Sequence, residues 1–130
     1  MSEFETKSLP AQADVLAPDG SEVRILCGLS RGSMAQFTLR PQQIARAVAH
    51  KSVEEVWYFV SGQGRMWRKL GTQEETVGVS AGVSITIPTG VHFQFRSDSD
   101  EPLVAVGVTM PPWPGEEEAR FVEGVWEATV

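Results

Sequence analysis

The 130-residue chain has the size of one domain, and 42% hydrophobic residues can bury a core without disulfide or metal staples. A net charge of −6, a pI near 4.9 and eleven basic residues scattered along the chain exclude the clustered Lys and Arg of a nucleic-acid or anionic-membrane surface. The lone Cys27 excludes an internal disulfide; with no charged-then-apolar leader and no run of eighteen apolar residues, the expected compartment is the reducing cytoplasm.

Gly and Pro recur at short intervals from Pro18-Asp19-Gly20 to Gly107, which leaves room for strands rather than long helices. The spacing predicts strands over Glu22 to Leu29, Met34 to Leu39, Val56 to Val60, Arg65 to Lys69, Val83 to Ile87, Phe93 to Arg96 and Leu103 to Met110. Seven or so short strands imply a β-sandwich or barrel. Between the second and third, Ile44, Ala45, Ala47 and Val48 fit a helical stripe, while Arg46, Val48 and His50 fit one face of a strand; the strand is the preferred reading. After the last strand, Pro111-Pro112-Trp113-Pro114-Gly115 breaks the chain, and the acidic start of Glu116 to Glu123 favours a short helix laid as a cap across the body. Cys27 shares parity with Val23, Ile25 and Leu29 and reads as a small core residue.

Two motifs carry a family resemblance. In the first, His50 stands five residues before Glu55, and Glu55 seven before Gly62; in the second, Gly82, Pro88 and Gly90 stand in register. Val48 to Gly64 resembles the first cupin motif, Gly-x5-His-x-His-x3–4-Glu-x6-Gly, and Gly82 to Ser97 resembles the second, Gly-x5-Pro-x-Gly-x2-His-x3-Asn. The resemblance implies an all-β, cupin-like jelly-roll barrel, with motifs and strands over about residues 30–110, an N-terminal strand or arm over 1–29 and a cap over 111–130. It also implies an inward-facing set of three His and one Glu holding a divalent metal. The sequence departs from that set: Val48 takes the first His position, Phe93 the third, Ser97 the closing Asn and Gln42 the leading Gly. His92 is one step from the missing ligand, so strand alternation turns it outward with Gln94 and Arg96, while Phe93 and Phe95 turn in. One imidazole and one carboxylate are too few for tight binding of a first-row metal, so no cofactor is expected.

Within this frame His50 and Glu55 are the candidate catalytic pair, an imidazole beside a carboxylate that a partly dry barrel can tune toward neutral pH; a solvated loop beside Lys51, Ser52 and Glu54 is the plain alternative. Around them the expected ligand-binding wall is Val48, Trp57, Phe59, Trp67, Phe93 and Phe95, with Gln36 and Arg65 as polar handles; core packing alone also accounts for the aromatics. The opposite parity, Val56, Tyr58 and Val60, is apolar too, so a second layer must cover it, and a homodimer is expected.

The leading functional expectation is a cupin-type small-molecule binding protein, a metal-independent isomerase, epimerase or lyase on a sugar-like or carbonyl compound. The alternatives are a metal-dependent oxygenase or isomerase using His50 and Glu55, and a non-catalytic sensor or partner-binding module.

Overall fold

A computed structural model describes residues 4–130. Eleven strands follow one another: β1 (Val15–Leu16), β2 (Glu22–Leu29), β3 (Gly32–Leu39), β4 (Val48–His50), β5 (Glu54–Ser61), β6 (Gln63–Leu70), β7 (Gln73–Ser80), β8 (Ser84–Ile87), β9 (His92–Ser97), β10 (Leu103–Met110) and β11 (Ala119–Phe121). They form two antiparallel sheets, in the orders β1-β2-β3-β10-β5-β8 and β11-β4-β9-β6-β7. This is the expected all-β jelly roll. The inner faces of both sheets enclose Leu39, Phe59, Met66, Ile87, Phe95 and Leu103, all essentially inaccessible to water.

The ambiguous segment resolves into one isolated bridge, Ile44 to Arg96, and β4, which pairs Val48 with Phe93 and Ala49 with His92. Backbone bonds from β4's neighbours decide this: Ala45 N–H donates to Phe95 and Arg46 N–H to Asp19. β7 escapes the sequence pattern because it is an edge strand, exposed at Gln73, Glu74, Glu75 and Thr76, with only Val79 fully buried. The tail differs from the expected helix over 116–123. A single 3-10 turn, Glu116–Glu118, leads into β11, whose backbone completes the open edge of β4. Hydrogen bonding to a waiting strand outweighs helix propensity there. Cys27 is not a core residue either. The β2–β3 register shifts between Ile25 and Gly28, which takes this end of β2 off the barrel; Leu29 is 81% exposed and Cys27 only half-buried.

The glycine that ends the first motif is sterically required. Gly62 has φ +83°, and a Cβ there would lie 2.3 Å from the Pro102 carbonyl oxygen. Gln42, at the motif's glycine position, keeps the left-handed conformation at φ +67°.

Candidate functional site

Between the sheets, at the end where β4, β5 and β10 meet the C-terminal segment, lies a cavity of about 410 Å³. That size falls in the range of about 300–1,000 Å³ typical of small-molecule sites. Alternation along β4 and β5 sends Val48, His50, Glu55 and Trp57 into it, and β9 contributes Phe93. His50 and Glu55 are only 5% and 4% exposed, so the solvated-loop alternative does not hold.

Glu55 is held from two sides. Thr109 Oγ1 on β10 donates to its Oε2, and Trp57 Nε1 donates to its Oε1 at 3.2 Å. Burial nevertheless pushes its carboxyl up to about 7; the Thr109 and Trp57 bonds work against that rise, and the charges of Asp19 and Glu118 add to it. His50 Nδ1 lies 3.7 Å from Glu55 Oε1, beyond hydrogen-bond length, and has no hydrogen-bond partner among the described residues. Burial lowers its imidazole to about 4, the Glu118 charge opposing, so the ring is neutral at pH 7. Phe93 and Trp113 meet that ring edge-on at 5.2 and 5.3 Å between centroids, fixing its plane.

The expected wall is assembled in part. Val48, Trp57 and Phe93 line the cavity with His50 and Glu55, while Phe59 and Phe95 face inward but are packed in the core around Trp57. Gln36, Arg65 and Trp67 are not on this wall. Gln36 shares the outer face of β3, opposite Val106 and Arg24, whereas its neighbours Ala35 and Phe37 reach the cavity. Arg65 and Trp67 face outward because β5 and β6 belong to different sheets, so inward parity on one strand cannot be carried across the Gly62 turn to the other. In the second sheet Met66 lies opposite Phe95 and turns inward; Trp67, opposite Gln94, turns out and donates to Glu74, and Arg65 pairs with Asp98.

Four further residues belong to the site. Phe37 stacks on Trp57 at 4.8 Å, and Thr109 orients Glu55. Trp113 caps His50, its N–H anchored on Ser33 Oγ. Asp19, in the turn before β2, is 6% exposed and lines the cavity; its Oδ1 accepts from the Ser21 N–H at 2.9 Å and hydroxyl at 2.7 Å. Parity within Ser33 to Leu39 was a usable signal for Phe37. None existed for Asp19, because Pro-Asp-Gly reads as an ordinary surface turn.

His92 turns away from the cavity, 3.4 Å from Arg120 of β11. Its strand-mate Gln94 is fully buried on the same outer side, where the tail covers it: Nε2 donates to Ala45 and Trp126 carbonyls, and Oε1 accepts from the Val125 and Trp126 N–H groups. The tail is pinned at its other end by Glu118, whose carboxylate accepts from Ser52 N–H, Ser52 Oγ and Val53 N–H.

The cupin domain family matches residues 35–109, more than half of the chain, and the chain belongs to that family. Among curated proteins, none matches the sequence. Among solved structures, a variant of Streptomyces PAC13 with uridine has 16% identity and a TM-score of 0.72, over 97% of this chain and 95% of that one. A Klebsiella pneumoniae uncharacterized conserved protein with a double-stranded β-helix domain has 14% identity and a TM-score of 0.66, over 95% of this chain and all of its own. Oxalate decarboxylase from Bacillus subtilis has 19% identity and a TM-score of 0.69, and this chain spans only 30% of its length. At these identities the likeness is one of fold.

The metal that the family implies does not fit the residues present. Val48 and Phe93 face each other across β4 and β9, so two of the three positions that would supply imidazoles supply hydrocarbon instead. Among the described residues no group of three His, Cys, Asp or Glu side chains converges to hold an ion.

Proposed function

We propose that the protein binds a small carbonyl compound in this cavity and moves a proton on it without a metal, as an isomerase, epimerase or lyase. One observation carries the reading: a neutral imidazole 3.7 Å from a carboxyl held at about 7, both on the wall of an aromatic cavity. A carboxyl with its pKa near the working pH is suited to take a proton and return it. A neutral imidazole can donate N–H to a carbonyl oxygen and stabilise the charge that grows there.

In this scheme the Glu55 carboxylate removes the proton from the carbon next to the carbonyl. The C–H electron pair becomes the new C=C bond, and the carbonyl π pair moves onto oxygen, where the His50 N–H meets it. Glu55 then returns the proton to carbon, or the enolate expels a leaving group. Trp113 and the Glu118 tether keep bulk water from this end, which strengthens each polar contact. The uridine bound by Streptomyces PAC13 is a precedent for a small organic occupant in a barrel of this fold.

The test is solvent-deuterium wash-in, followed by NMR, across a panel of hydroxyaldehydes and hydroxyketones. Wash-in at the carbon beside the carbonyl should occur with the native protein and vanish in Glu55→Gln. Wash-in that persists in Glu55→Gln, or none with any compound, would overturn the catalytic role.

The outer face of the first sheet is part of the same proposal. Val56, Tyr58 and Val60 are 42–52% exposed there, beside Val106 and Val108 of β10, with Glu54 of the same strand at one end. In a chain of net charge −6, such an apolar face is where a second copy can approach with least repulsion. We therefore assign it to a homodimer.

A further inference from the structure

The charge balance of the cavity narrows its ligand, on the reading that the cavity is a binding site. We infer that it takes a small organic cation, a compact protonated amine with an apolar body, in preference to an anion or a sugar phosphate. For the proposed reaction this means a carbonyl compound that also carries an amine.

Three acidic side chains, Asp19, Glu55 and Glu116, contribute to the lining, and no Lys or Arg does so among the described residues. Among the described residues the two buried ones have no cationic partner. Asp19 is satisfied by Ser21 of its own turn, and Glu55 by Thr109 and Trp57, all neutral donors. A phosphate or carboxylate entering here would find no Lys or Arg among the described residues to offset its charge and, once either acid is ionised, a like charge beside it, both costly in a low dielectric.

The remaining groups suit a cation. Phe37, Trp57, Phe93 and Trp113 surround the space, and the negative faces of aromatic rings attract ammonium groups. His50 is more than nine-tenths buried, lines the cavity, and has a ring nitrogen without a partner among the described residues. A neutral imidazole offers one acceptor nitrogen, and an ammonium offers three N–H donors and no acceptor. Burial also raises the Asp19 carboxyl above its ordinary value and the Glu55 carboxyl to about 7, the behaviour of acids that lack a cation beside them.

A matched set of three probes tests this by titration calorimetry at pH 8: phenethylammonium, 2-phenylethanol and 3-phenylpropanoate share a ring and a two-carbon arm and differ in charge. The cation should bind at least tenfold more tightly than the alcohol, and the anion more weakly than both. Glu55→Gln and Asp19→Asn, checked for native circular dichroism, should each cut the preference for the cation over the alcohol at least fivefold. Asp19→Asn keeps the acceptor for Ser21, so it serves if Glu55→Gln misfolds. Equal binding of alcohol and cation, tighter binding of the anion, or a preference that survives both substitutions would overturn the inference and leave the cavity a binding site. Failure of all three probes to bind would overturn the inference together with the binding reading on which it rests.

Discussion

Glu55 and His50 owe their properties to burial, and burial acts on them with opposite signs. Folding favours the protonated form of Glu55, so its contribution to stability is present below its ordinary value of 4.5 and is lost as pH rises toward about 7. Folding favours the neutral form of His50, so its contribution is present above 6.5 and is lost as pH falls toward about 4. Between pH 4.5 and 6.5 the two oppose each other. Denaturant unfolding across this window should therefore show Glu55→Gln gaining stability with rising pH relative to the native protein, and His50→Gln losing it, by up to about 3 kcal/mol each. Parallel curves for all three proteins would contradict the burial assigned to the pair. Trp57 adds a finer check. Its N–H lowers the Glu55 pKa, so Trp57→Phe should move the carboxyl's titration, read by infrared or carbon NMR, upward from about 7.

At the scale of elements, two local conflicts are settled by neighbours rather than by propensity. Glu116–Glu118 starts like a helix, yet the chain leaves after one turn because Glu118 reaches back to Ser52 and Val53 and delivers β11 to the edge of β4. Glu118→Ala strips the buried Val53 N–H and the Ser52 groups of their acceptor and should cost about 1–3 kcal/mol in chemical denaturation. Gln42 holds a backbone conformation that suits glycine, at an exposed position. Gln42→Gly should therefore raise the unfolding free energy by up to about 1 kcal/mol, the relief of left-handed strain exceeding the entropy that glycine adds to the unfolded chain. A loss of stability would mean that the Gln42 side chain contributes contacts of its own.

For the whole molecule, the decisive feature is that β5 is apolar on both sides: Trp57 and Phe59 in the core, Val56, Tyr58 and Val60 outside. Light scattering after size exclusion at micromolar concentration should give twice the 14.2 kDa chain mass. Tyr58→Glu, which puts a charge at the centre of the apolar face, should return the chain to a monomer with its fold intact. A native protein of 14.2 kDa at these concentrations would leave the face without the partner assigned to it.

Alternation and turn chemistry are properties of neighbouring residues, so they were legible in the chain itself: most of the strands, and the inward turn of Phe93 and the outward turn of His92. The same local logic failed at Arg65 and Trp67, because a turn that crosses between sheets resets which side is inside. It gave no hint of Asp19, whose place on the cavity wall depends on packing, or of Gln94, whose four hydrogen bonds come from Ala45 and the last turn of the tail. Periodicity is written along the backbone; enclosure, and with it every shifted pKa in this cavity, arises only where segments distant in sequence exclude water together.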